Sequence, residues 1–220
     1  FKIFLDGKLI GSFNGTHETH KVYQKVHLEK DRPAALKIEY SHRSRMARMH
    51  LLWKKPAADS LGRAVEAARK AEAIVLFLGL SPRLEGEEMN VPVPGFKGGD
   101  RLTLDLPSNQ EKLLQEVARA AAGKPVILVL LNGSPVALNQ AVELVPAIVE
   151  AWYPGQAAGQ AIADVLFGDY NPAGRLPVTF YKSANDLPDF SDYRMMGRTY
   201  RYFKKEPLFP FGYGLSYTSF

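Results

Sequence analysis

The stretch "LEGEEMN", residues 84–90, places three carboxylates within four positions: Glu85, Glu87 and Glu88. Clustered carboxylates raise one another's pKa by like-charge repulsion, and partial burial adds to the effect. A carboxyl kept protonated near neutrality is what a general acid needs. The plainer reading is a loop that acidic side chains merely solvate. Position favours chemistry: the cluster follows "AIVLFLGLSP", the most apolar run of the chain. In open parallel sheets, ligands bind outside the carboxyl ends of strands, and such a strand ends here.

One chemistry that pairs carboxyl groups, cleavage of a glycosidic bond, needs them on opposite sides of that bond. Glu85 and Glu87 are two residues apart on one loop and cannot easily flank a sugar ring. If this loop supplies an acid, its partner carboxylate must come from elsewhere. Nothing in residues 107–220 names itself for that part, since Asp164 and Asp169 fall on a helix and its C-terminal turn.

The elements that must position the loop are legible from periodicity. Residues 60–71 read as a helix with Leu61, Ala64, Val65 and Ala68 on one face. Residues 73–79 read as a fully buried strand. Residues 107–123 read as a helix opened by a Ser108–Glu111 capping box and stopped at Gly123. Further strands are expected at 125–133, 146–155 and 175–181, with a helix at 157–168 that turns Ile162, Val165 and Leu166 inward and ends at Gly168. Four apolar strands alternating with amphipathic helices predict an α/β fold, a mostly parallel sheet covered by helices on both faces. The loop 80–106 is long, and loops of that length without a helix are usually functional or disordered.

Before residue 56 the pattern is different. Two short apolar runs flank Asp6-Gly7, a strong hairpin dipeptide. Alternation at Val22, Gln24, Val26 and Leu28 and again at Leu36, Ile38 and Tyr40 predicts antiparallel strands, with a turn at Asp31-Arg32-Pro33 and another strand at 47–55. "KKPAADS", residues 54–60, is the expected boundary. The tail, 182–220, is too aromatic for a disordered linker and reads as an extended arm laid over the domain.

Composition narrows the classes. The 220 residues are 46% hydrophobic and 23% charged, enough for one large domain. No run reaches the roughly 18 apolar residues of a membrane span. With no Cys there is no disulfide, thiol nucleophile or thiolate metal site. All five His lie at or before residue 50, so residues 51–220 cannot build a Ser-His-Asp site alone. His17 and His20 lack a third ligand at sensible spacing, so no metal is expected. The formal net charge of +5 is uneven, +7 within residues 1–56 and −2 beyond, and the scattered basic side chains of the first segment read as a solvated face rather than a nucleic-acid surface. No Gly-x-Gly-x-x-Gly or Gly-Lys-Ser/Thr follows either long apolar run, which argues against nucleotide binding. The chain opens mid-pattern on "FKIFLDGKLIG" without Met, and it is expected to be a piece of a longer polypeptide.

Four stretches together carry a resemblance: "VLFLGLSPRLEGEE…GGDRLTLDLPSNQEKLL", "GKPVILVLLNGSPVAL", "AIVEAWYPGQAAGQAIADVLFGDYNPAGRLPVTF" and "GRTYRYF…PLFPFGYGLSY". In this order they resemble the C-terminal half of family 3 glycoside hydrolases, which includes β-glucosidases and β-xylosidases. Residues 1–55 resemble the end of a PA14 β-sandwich. The resemblance implies that residues 56–181 are part of an (α/β)6 sandwich and that 182–220 lead towards a fibronectin-III-like domain.

The same resemblance implies a function. A retaining, exo-acting enzyme would remove terminal β-linked glucose or xylose, with its Asp nucleophile in a barrel domain elsewhere in the polypeptide and its acid/base Glu on this chain. The family pattern places that acid after Gly86, at Glu87, with Glu85 next and Glu88 third. Asp100 and Arg101 would order the loop by local hydrogen bonds. The resemblance implies a β-linked oligosaccharide or glycoside as substrate, no cofactor, no nucleic-acid or membrane partner, and a periplasmic or extracellular setting. A homo-oligomer is left open. Trp152 and Tyr153 could stack on a sugar, though core aromatics ending a strand are the plainer reading. The competing class is a carbohydrate-binding or scaffold module without catalysis.

Overall fold

The computed structural model describes residues 1–15, 22–41, 49–53, 59–86, 88–89 and 91–219. His17, His20 and Glu87 therefore lie outside the described residues. The chain divides into two compact units, Phe1–Pro56 and Ala57–Phe220.

In the first unit, β1 (Lys2–Leu5) is the centre of a three-stranded antiparallel sheet, flanked by β2 (Lys8–Ser12) and β3 (Leu36–Glu39). Asp6 and Gly7 form the β1–β2 turn, with φ of 48° and 78°. These angles match the right-handed twist of the strands they join. Residues 22–28 alternate as a strand should, but they find no ladder partner among the described residues. Val22, Val26 and Leu28 stay exposed there. Residues 49–53 likewise form no strand, and the ends of the expected strand at 47–55 lie outside the described residues.

The second unit is α/β. Its elements in chain order are α1 (Ser60–Lys70), β4 (Ile74–Gly79), β5 (Phe96–Lys97), β6 (Asp100–Arg101), α2 (Ser108–Ala121), β7 (Val126–Leu131), α3 (Asn139–Leu144), β8 (Ala147–Glu150), α4 (Ala158–Phe167) and α5 (Thr199–Tyr202). The main sheet is parallel, in the order β4-β7-β8. Register pairs Gly79 with Leu131 and Leu130 with Glu150, so all three strands end at one rim. The core is the face carrying Leu78, Val126, Leu128 and Leu130, packed against Leu114 and Ala121 of α2 and Ala141 of α3.

Four sequence expectations need correction. The strand at 73–79 is not fully buried: its inward residues pack, but Val75 and Phe77 on the other face are 42% and 51% exposed. Among the described residues β4 is an edge strand, and α2 packs on one of its faces. Residues 175–181 are not a fourth sheet strand. Pro177 has no N–H for a ladder, and Phe180 instead bridges antiparallel to Phe209 in the arm. The capping box is absent, because the N-cap is Pro107 and Ser108 already lies inside α2. On α4, Ile162, Val165 and Leu166 are only partly buried.

Polar side chains finish what the ladder leaves open. Lys124 donates to the carbonyls of Ala68, Arg69 and Ala71, capping the C-terminus of α1 at 2.7–3.0 Å. Gln110 of α2 brackets Gly79 like a short strand: its Oε1 accepts from Gly79 N, and its Nε2 donates to Gly79 O, both at 2.7 Å. Replacing Gln110 with Leu leaves both backbone groups unpaired at the end of β4. We expect a loss of about 2 kcal/mol in urea unfolding, since each unmade bond to a shielded backbone group costs roughly 1–3 kcal/mol.

Candidate active-site rim

The loops that leave β4, β7 and β8 meet at the carboxyl end of the sheet. The first begins with a turn in which Leu84 N and Glu85 N donate to Ser81 O. Leu84 tucks against the core, which delivers Glu85 to the rim. There Glu85 accepts three hydrogen bonds. Gly133 N donates to Oε2 at 3.1 Å. The Ser134 hydroxyl donates to Oε1 and the Tyr153 hydroxyl to Oε2, both as short contacts. A side chain at position 133 would collide with the Tyr153 ring and press on Glu85 Oε2, so glycine is what lets this backbone N–H reach the carboxylate.

Arg101 holds the same knot from the other side. Its Nη1 donates to Ser134 Oγ at 2.8 Å and to Pro135 O at 2.7 Å. Ser134 thus relays between the guanidinium and the carboxylate. Burial lowers the Arg101 pKa, and the negative charges of Glu85 and Asp105 work in the opposite direction. The Tyr153 hydroxyl is pushed up, first by burial and then by its bond to Glu85. Asp100 sits beside Arg101 in a two-residue ladder, Lys97 opposite Asp100 and Phe96 opposite Arg101. The turn of that hairpin is Gly98-Gly99. Gly99 has φ of 91°, and a Cβ on it would overlap the Gly86 carbonyl. The hairpin tip therefore rests directly on the backbone between Glu85 and Glu87.

The structure thus brings Glu85 and Arg101 together and leaves Asp100 on the hairpin. Among the described residues, the bonds of Arg101 run to the segment after β7, to Ser134 and Pro135. Glu88 is exposed, on a left-handed backbone with φ of 49°. Sequence reasoning passed over Ser134, Asn132 and Glu150, although each lies at or just past the carboxyl end of a parallel strand. Tyr153 joins the site by its hydroxyl, while Trp152 packs edge-on against buried Phe180, 6.0 Å between ring centroids. Glu150 is half-buried: removal from water pushes its pKa up to about 7, and the Trp152 N–H and the Asn132 side chain partly offset that. Among the described residues no group of His, Cys, Asp and Glu could hold a metal ion.

The α/β unit has relatives among known proteins. The family described as "Glycosyl hydrolase family 3 C-terminal domain" matches residues 8–217. The chain belongs to that family. It is 61% identical over 147 residues to a xylan 1,4-beta-xylosidase of Xylanibacter ruminicola, a match covering 67% of this chain and 17% of that protein. It is 40% identical over 169 residues to a periplasmic beta-glucosidase of Salmonella typhimurium, covering 71% and 20%. The crystal structure of a beta-glucosidase from Kluyveromyces marxianus superposes with a TM-score of 0.70 at 26% identity, over 99% of this chain and 28% of that one. The chain thus spans about a fifth of the length of the family 3 relatives it matches, and the 99% match takes in the first unit as well as the α/β unit.

Changing Ser134 to Ala removes the relay while sparing the Arg101–Pro135 bond. We expect about 1–2 kcal/mol of lost stability and faster amide exchange in residues 84–86 and at Gly133. Exchange in β7 should be unchanged, and hydrogen–deuterium exchange by mass spectrometry reads all three.

Proposed function

We propose that this chain is the acid/base-bearing part of a retaining exo-β-glycosidase. The enzyme would remove terminal β-linked glucose or xylose from oligosaccharides or glycosides, and Glu87 would be the acid/base. The observation that carries the reading is the occupancy of Glu85. Gly133, Ser134 and Tyr153 take up its two oxygens, so it anchors the loop rather than offering a proton. Glu88 is exposed on a left-handed backbone turned out to solvent. That leaves Glu87, next to the Gly86 backbone on which the Gly98-Gly99 turn rests.

In the reaction, Glu87 protonates the glycosidic oxygen as the C–O bond breaks and the Asp nucleophile forms the glycosyl-enzyme. Glu87 then takes a proton from water as that water attacks the anomeric carbon, releasing the Asp. The nucleophile belongs to a barrel domain of the same longer polypeptide, and the first unit is the end of a PA14-like module. The setting is periplasmic or extracellular, in line with the periplasmic relative.

In the full-length enzyme, Glu87→Ala should cost about 10²–10⁴-fold on substrates with poor leaving groups, the usual worth of a general acid–base. Much activity should remain on activated aryl glycosides, and azide, which needs no base, should restore turnover as the glycosyl azide. Glu85→Ala should lower activity on both substrate classes without azide rescue. Unchanged kinetics in Glu87→Ala would leave a binding module without catalysis as the better reading.

A further inference from the structure

Beside the rim lies a cavity of about 650 Å³, the size of a small-molecule site. Pro135 joins the two: it lines the cavity, and its carbonyl accepts from Arg101. The remaining walls come from the segment 177–181, from Met195 and α5, and from Phe211. Most of that lining is apolar or aromatic, and Arg201 is its only charged residue. Apolar walls with a few placed polar groups are what a small-molecule site needs.

Tyr200 is placed in this cavity as a platform. Its ring stacks on Phe211, with centroids 4.5 Å apart and planes at 26°. One face is thereby backed, yet the residue stays 59% exposed, so the other face is open. Tyr181 is fixed as well. Its ring meets Phe203 edge-on at 4.9 Å, and its hydroxyl accepts from Thr199 N at 2.9 Å. That bond uses a lone pair and leaves the phenol proton without a partner among the described residues. The bond comes from a strained residue: Thr199 has φ of 54°, which a β-branched side chain rarely adopts and which clusters at functional sites.

We propose that this cavity is a sugar-binding site, in which a pyranose of a β-linked oligosaccharide lies on the open face of Tyr200 and one of its hydroxyls accepts from Tyr181. A pyranose offers both things the wall leaves unpartnered. Its C–H bonds lie against an aromatic face, and its rim of hydroxyls bonds to phenols. In β-linked glucose or xylose every ring substituent is equatorial, so both faces present bare C–H. A lining with one exposed arginine and no carboxylate suits this neutral ligand better than a phosphate or a cation. The choice of sugar rests on the functional reading, whereas the platform itself does not. A site joined to the rim by Pro135 can take its pyranose from two sources: the leaving-group end of the chain being cut, or a second stretch of the same polysaccharide.

The test uses the full-length enzyme labelled with 3-fluorotyrosine and two probes it cannot cut, sulfur-linked xylotriose and cellotriose. Tyr200→Phe assigns the Tyr200 ¹⁹F resonance. That resonance should shift saturably with at least one probe, while that of Tyr170, equally exposed but outside the cavity, stays still. By calorimetry, Tyr200→Ala should weaken binding of that probe roughly tenfold, the scale for truncating an anchoring aromatic. Tyr200→Phe, which keeps the ring, should bind nearly as wild type. If the pyranose belongs to the chain being cut, wild type shows one site, and the Ala variant binds free xylose and glucose as wild type does. If it belongs to a second stretch, wild type shows two sites and the Ala variant loses one. A Tyr200 resonance that neither probe moves overturns the proposal, and so it would if another part of the polypeptide covers the cavity. Unchanged affinity and stoichiometry in Tyr200→Ala overturn it too. Should Tyr200→Ala not fold, the wild-type resonance decides alone. None of these readouts uses turnover, so they stand or fall apart from the role of Glu87.

Discussion

One carboxylate ties this rim together. Glu85 arrives on the loop after β4, and its three donors arrive on the segments after β7 and β8. No single loop could make this knot, which depends on three strands ending side by side. Parallel pairing guarantees that, because every strand runs the same way and each C-terminal end opens onto the same edge. The register that sets Gly79 beside Leu131 and Leu130 beside Glu150 brings Glu85, Gly133 and Tyr153 within reach of one another.

The α/β plan was legible because its signals are local and repeated. Apolar runs mark β4 and β7, and a 3.6-residue stripe marks α1 and α2. Gly168 and the Ala122–Gly123 pair end their helices in the left-handed conformation. Elements whose fate depends on a distant partner were misread. Residues 175–181 look like a sheet strand apart from Pro177, yet Phe180 pairs with Phe209, a partner far along the chain. Residues 22–28 alternate well but have no described neighbour strand. Ser108 and Glu111 fit a capping pattern, but Pro107 takes the cap because α2 starts one residue earlier than that pattern requires.

The site divides in the same way. Composition and position pointed to the acidic loop, and the family pattern selected a residue within it. Neither could say that Glu85 is occupied, because its partners lie 48, 49 and 68 residues away. Tyr153 was weighed for its ring, but its hydroxyl is what engages the site. Glu150 reads as the polar end of a short strand, yet its Oε1 accepts from Trp152 N and so closes the turn that presents Tyr153.

The loop from Leu80 to Leu106 explains why so much polar machinery is needed. Its described apolar anchors are sparse: Leu84 and Phe96 pack against the core, and Leu80, Val91 and Leu106 are buried. Such contacts are non-directional and fix how deep a segment sits, not how it is turned. Between Leu84 and Val91, the stretch that carries all three Glu, orientation must come from directional bonds. Glu85 supplies them at one end of Gly86, and the Gly99 turn bears on Gly86 itself. Arg101 belongs to the same scheme. Its Nε and Nη2 are buried without a partner among the described residues, a cost that an apolar residue would avoid. An apolar residue could not engage the Ser134 hydroxyl and the Pro135 carbonyl at once. The loop gives up stability at Arg101, and in return Glu85 and Gly86 are held in place at the mouth of the sheet.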